Sequence, residues 1–348
     1  DIPRDIYYYT LASDQNIADA QLNLGIIYLS RNINKALHYF ELAANQNNSN
    51  ALYNLGVIYS SNKYISQDIK KSIYYFTEAA NQNDEKAQYA LGLLYIFGYN
   101  IFGKKANVPI NINKAIYYFT QAANKNNDDA QYALGVFYLN GIYVKQNIKK
   151  GFFMFSLSAK NRNIDSYLVL GFLYHEGKYI EKNIEQSIHC YKEASSFNHF
   201  YAKNNLGIIY KHGFGAEIQP NIVLAIEYFN EAIHKSNDMI CMYNLAHLYF
   251  YENKENDAID LLIQSCKLGF HPSKYLLILS LIKKFQNRID VFMKELEKLI
   301  DKSSKLFSDI YQLFINHHFD DILSYNEFYQ YFKKIDYLYD HLGLVIMS

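Results

Sequence analysis

The chain of 348 residues has no tryptophan, only three cysteines, few glycines and no net charge. Each shortage excludes something. Cys190, Cys241 and Cys266 are an odd, scattered set, so the sequence carries neither a disulfide framework nor a cysteine-based zinc cluster. Lys plus Arg is 34 and Asp plus Glu is 34. That balance excludes the broadly basic chain of a nucleic-acid binder that works by phosphate neutralisation, and it offers no attraction to an anionic membrane surface. No stretch reaches the roughly 18 apolar residues of a spanning helix; the longest candidate is Tyr275 to Ile282, so no direct membrane span is expected in this chain. The chain starts at Asp1 without Met or a signal peptide, which fits a processed chain or a fragment and leaves the compartment open. What the sequence does have is apolar bulk: half of its residues are hydrophobic, enough for an extensive core and against global disorder.

Internal repetition organises that bulk. Leu-Gly recurs at Leu24-Gly25, Leu55-Gly56, Leu91-Gly92, Leu134-Gly135, Leu170-Gly171 and Leu206-Gly207, with Leu245-Ala246 a relaxed seventh copy. Four residues after each Leu stands a tyrosine, from Tyr28 and Tyr59 to Tyr210 and Tyr249; four before stands a small residue, Ala20 in the first copy and Cys241 in the last. Positions four apart share one helix face, so each copy predicts a helix, termed A. Gly inside a helix costs about 1 kcal/mol against Ala. Its recurrence predicts that a neighbouring helix approaches closely there. A second helix, B, follows each time. It has a small anchor (Ala36, Ser72, Ala115, Gly151, Ser187, Ala225, Ala258), bulky residues three and four later (Tyr39-Phe40, Tyr75-Phe76 and so on to Leu261-Leu262), and mostly small residues four beyond those. Asn32, Asp68, Asn111, Asn147, Asn183 and Asn221 precede the anchors by four and are expected N-caps; Lys254 breaks the pattern in the seventh copy. The Asn-rich turns from B to the next A fit residues that tolerate positive φ. The longest A-to-B loop, Phe97 to Ile110, reads as a surface insertion or a partner-contact loop.

The pattern Ala-x-x-x-Leu-Gly-x-x-x-Tyr, a variable loop, then Asn-Ile-x-x-Ala-x-x-Tyr-Phe-x-x-Ala-Ala resembles the SEL-1-like repeat family, α/α solenoid modules related to tetratricopeptide repeats. The resemblance covers residues 7 to 270, and its best stretches are Asn111 to Ala123 and Ala130 to Gly141. It implies an all-α, right-handed superhelical solenoid of about seven helix pairs. It also implies a scaffolding role in which a protein partner is held, with no catalytic residues and no cofactor. The alternative it implies is a structural subunit of a membrane-associated assembly, such as an adaptor in quality control of the endoplasmic reticulum or of a ubiquitin ligase. Residues 271–348 depart from the pattern and are expected to form a helical cap or a docking region.

No catalytic constellation appears: no Gly-rich phosphate loop, no Gly-x-Ser-x-Gly, no Cys-x-x-Cys and no standout carboxylate pair of the kind a glycosidase needs. His317 and His318 are adjacent and point apart on a helix. His175, Glu176, His212 and Gly213 are expected as solvated loop-edge residues, the three thiols as buried structural groups, and Asn47 as a weak glycosylation sequon. The candidate partner site is the face of helix A two residues before and after the Leu, about 160° and 200° around from it. Its residues are Tyr53, Val57, Tyr89, Leu93, Tyr132, Val136, Phe172, Ile208 and Tyr243. Two readings stand: an open, concave, apolar strip that holds a peptide or helix segment, or a strip buried where successive A helices meet. Enzyme activity, metal binding and nucleic-acid binding are not expected.

Overall fold

The structure, a computed structural model, describes residues 2–98, 108–214, 218–270 and, beyond these, 272–274, 276, 277 and 280. Its regular elements are α1 (Ile2–Asp14), α2 (Ala18–Tyr28), α3 (Ile33–Asn45), α4 (Ser49–Tyr59), α5 (Ile69–Asn81), α6 (Glu85–Phe97), α7 (Ile112–Asn124), α8 (Asp128–Asn140), α9 (Ile148–Lys160), α10 (Ile164–Glu176), α11 (Ile184–Ser196), α12 (Phe200–His212), α13 (Ile222–Ser236), α14 (Met239–Tyr251) and α15 (Glu255–Lys267). From α2 onward the even-numbered helices are the A helices and the odd-numbered ones the B helices of seven pairs, so the fold is an all-α array of tandem repeats. Helix α1 packs on α2 ahead of the first pair. The chain forms two compact units that meet within α10, the first ending at Ser166 and the second starting at Tyr167. The cap expected over 271–348, with His317 and His318, lies outside the described residues apart from the few named above. So do residues 99–107 of the long loop.

The glycines explain the A–B contact. A Cβ on Gly25, Gly56 or Gly92 would stand 2.6 to 2.8 Å from the rings of Phe40, Phe76 and Phe119; Gly135, Gly171 and Gly207 face Phe155, Tyr191 and Phe229 in the same way. Each A helix thus opens a notch for one fully buried ring of its own B helix. The small-Leu stripe closes around that ring: Leu24, Leu55, Leu91 and Leu206 are wholly buried. In the seventh pair both halves of the contact change together, with Ala246 in the notch position and the smaller Leu262 in place of the ring.

Capping fixes where each helix starts. Asn32, Asp68, Asn111, Asn147, Asn183 and Asn221 each accept a hydrogen bond from the backbone N–H three residues on, at 2.9 to 3.1 Å, and Lys254 makes no such bond. The B-to-A turns place Asn47, Asn83, Asn126, Asn198 and Asn237 at positive φ. The exception is Arg162 at φ 68°, flanked by two asparagines that do other work. Asn161 donates to the Gln131 side chain, and Asn163 caps α10.

Candidate functional site

The A-helix strip is built the same way in successive repeats of the first unit. The rings of Tyr53, Tyr89 and Tyr132 lie 5.7, 5.7 and 5.6 Å from those of Phe76, Phe119 and Phe155. The phenylalanine that fills each glycine notch therefore also supports the strip tyrosine above it. All three tyrosines are half-buried, as are Val57, Leu93 and Val136. Tyr53 and Val57 pack on one core cluster, and Tyr89 and Leu93 on the next. Ile26, the corresponding position in the first repeat, is 51% exposed.

Acidic residues at the start of the next A helix border each tyrosine. Burial holds the Tyr53 hydroxyl above its usual range, and the charges of Asp84 and Glu85 add to it. Burial, with Asp129 and Asp128, pushes Tyr89 up to about 12; burial, with Asp165, raises Tyr132. The cause is the same in each case: a desolvated phenol facing carboxylates resists acquiring charge. These acids were not singled out from the sequence. A related pattern also went unread: in five of the seven repeats the position seven before the Leu is Asn48, Asp84, Asn127, Asn163 or Asp238, and each caps its A helix, whereas Ile17 and His199 do not. A second unrecognised pattern is the glutamine three before the Leu. Gln88 and Gln131 are buried and donate to Ala80 O and Ala123 O, two terminal carbonyls of the preceding B helix.

In the second unit the strip takes a different course. Phe172 is half-buried, but Ile208 is 5% and Tyr243 1% exposed, so both side chains belong to the core. Ile208 joins a core cluster with Ala225, Phe229, Leu245 and Leu248. Helices α12 and α14 touch, as α4 and α6 do in the first unit, and Asn244 donates to Asn204 between them at 3.0 Å. Tyr243 is further covered by Phe270, edge-on at 5.6 Å. The strip residues thus split by unit: those of the first offer side-chain surface, whereas Ile208 and Tyr243 do not.

Another expectation is corrected here. His175 is not a solvated loop-edge residue; it is 9% exposed, with the Phe214 ring edge-on at 5.2 Å. The last turn of α10 is covered by the segment after α12, which the local sequence around His175 does not reveal. His212 is exposed as expected. The thiols of Cys190, Cys241 and Cys266 are free and buried. Lys203, 5% exposed, is matched by Glu231 at 2.8 Å. Among the described residues no group of three or more His, Cys, Asp or Glu could hold a metal ion, and no helix is long and apolar enough to cross a membrane.

Two solved structures share this arrangement. One is a protective antigen present in uropathogenic Escherichia coli strains, displaying an SLR fold. It is 21% identical, with a TM-score of 0.68 over 80% of this chain and 60% of that one. The other is a Sel1 repeat protein from Oxalobacter formigenes, 21% identical, with a TM-score of 0.60 over 78% of each chain. At this identity the likeness concerns the fold alone, and the present chain spans 60% of the length of the first of these proteins. No curated protein matches the sequence. The family model for the Sel1 repeat matches seven times, at residues 18–48, 49–84, 85–127, 128–163, 164–196, 200–237 and 240–270. Each match contains one A–B pair with its glycine-notch position, and on these seven copies the chain belongs to the Sel1 repeat family.

Proposed function

We propose that this chain is a non-enzymatic adaptor that holds a segment of a partner protein against the A-helix strip of its first unit. Proteins of Sel1 repeats generally act as protein–protein interaction scaffolds. The observation that carries the reading for this chain is the register of Tyr53, Tyr89 and Tyr132, each half-buried and seated on a core phenylalanine. A ring already fixed by its neighbour loses little freedom on binding, and Tyr joins apolar area to a hydrogen-bonding tip. Val57, Leu93 and Val136 supply aliphatic surface beside them.

The test is affinity capture from the native cell with the wild type and with Tyr89→Leu/Tyr132→Leu, which keeps apolar bulk over Phe119 and Phe155. A partner protein retained by the wild type and lost by the variant, with circular dichroism unchanged, supports the strip. A partner retained equally by both moves the site elsewhere on the chain and makes the strip core.

A further inference from the structure

The B helices of the first unit carry a second row, on a different face. One residue before the small anchor stands Lys35, Lys71, Lys114 or Lys150; two after it stands His38, Tyr74, Tyr117 or Phe153. The two positions are three apart and share a helix face. All of them are exposed: Tyr74 and Tyr117 at 59% and Phe153 at 55%. One solvated ring is ordinary on a protein surface. Three in one register on consecutive B helices form an arranged apolar row.

The row is held in place. Tyr74 stands edge-on to Tyr75 at 5.2 Å, Tyr75 stacks on Tyr59 at 5.7 Å, and Lys71 Nζ lies 4.9 Å over the Tyr59 ring. The next repeat copies this with Tyr117, Tyr118, Tyr95 and Lys114 at 5.2, 6.0 and 5.1 Å. In the fourth, Lys150 Nζ sits 4.1 Å over the Tyr138 ring and donates to its hydroxyl at 2.7 Å. The repeat fold does not require the outer pair. In the sixth repeat the inner stack persists, Tyr210 on Tyr228 at 5.8 Å, yet Leu224 and Glu227 occupy the lysine and ring positions. The lysine–aromatic pairing is thus absent from that repeat while the packing beneath it remains.

We infer that this lysine–aromatic comb on α3, α5, α7 and α9 docks an acidic segment of a partner protein in which carboxylates alternate with apolar side chains. The charge is complementary. These helices add Lys70 and Lys149 to the comb, and their acids are confined to Glu41 and Glu78, past the comb in sequence. The comb also occupies the helices' N-terminal halves, where the macrodipole favours negative charge. An alternation of cation and ring calls for a ligand with the same alternation, which an acidic peptide has. A nucleic acid instead presents an unbroken row of phosphates to the field of the whole chain, which is neutral. The comb is independent of the A-helix strip and adds a second contact for a scaffold.

The test uses the full chain and a fluorescein-labelled peptide of repeated Glu-Glu-Leu triplets, read by anisotropy. The expected result is saturable binding that weakens with salt. Binding should fall about tenfold in Lys71→Gln/Lys114→Gln/Lys150→Gln and comparably in Tyr74→Ser/Tyr117→Ser/Phe153→Ser. It should be unchanged in the strip variant Tyr89→Leu/Tyr132→Leu and absent for a Lys-Lys-Leu peptide. Absence of binding to the wild type overturns the inference, as does binding at wild-type affinity by either triple variant. So does displacement of the peptide by an oligothymidylate or by phosphatidylserine vesicles at lower concentration than unlabelled peptide. The substituted side chains are exposed; should a triple variant lose helicity, Tyr117→Ser alone carries the comparison.

Discussion

At the scale of single residues, the glycine notch gives the sharpest consequence. Gly92→Ala gains about 1 kcal/mol of helix propensity. It also drives a methyl to 2.8 Å from the Phe119 ring, which is wholly buried and has no room to withdraw. Overpacking of this kind costs roughly 1–3 kcal/mol, so the variant should be destabilised on balance, by about 1 kcal/mol. The seventh repeat shows the compensation, because Ala246 is matched there by Leu262. Phe119→Leu should therefore lose stability alone yet relieve Gly92→Ala. The double variant should lose less than the two single losses together, a coupling that urea midpoints in a double-mutant cycle would measure. Strictly additive losses would show that the ring is not what the glycine makes room for.

At the scale of helices, the caps behave as separable parts. Asn111→Ala removes the acceptor for the Lys114 N–H and should cost about 1 kcal/mol in urea unfolding. Asn111→Asp should be nearly neutral, since Asp68 caps α5 in the same role. Helix starts, the close A–B approach and the buried thiols were legible in the sequence because each depends on residues within one repeat. The openness of the candidate strip was not. Whether Tyr89 is half-buried or Tyr243 fully buried depends on side chains distant in sequence, such as Phe270 over Tyr243 and Asn204 bonded to Asn244, forty residues apart. The exposed rings of the comb escaped for a different reason. They lie off the buried stripe, and periodicity of apolar residues draws attention to what is inside. Arg162 is a smaller case: composition pointed to an asparagine at positive φ in every B-to-A turn, but in this turn both asparagines serve as hydrogen-bonding groups.

At the scale of the molecule, the two units differ in which groups they bury, and alkali should separate them. The first unit buries phenols: Tyr53 and Tyr132 are raised, and Tyr89 is pushed up to about 12. The second holds all three thiols. Desolvation pushes Cys190 and Cys266 up to about 12 and Cys241 well above its usual value, and it also raises Tyr191. In every case the folded state keeps its proton to higher pH than the unfolded chain does. The associated stability is complete below the unfolded pKa and is lost as pH rises through the folded one. Unfolded thiols titrate at about 8.5 and phenols at about 10, so the second unit should begin to weaken about one and a half pH units earlier than the first. Urea unfolding by circular dichroism should then change from one transition at neutral pH towards two as pH passes about 9, a departure from two-state behaviour natural to two units. Thiol labelling should coincide with the earlier transition, and native protein near pH 8 should stay unlabelled, because a buried, protonated thiol is a poor nucleophile. If labelling instead followed the later transition, the thiols would not be what weakens the second unit. Replacing Cys241 and Cys266 with Ser, the residue that holds their repeat positions at Ser166 and Ser195, and Cys190 with Ala should remove the early loss.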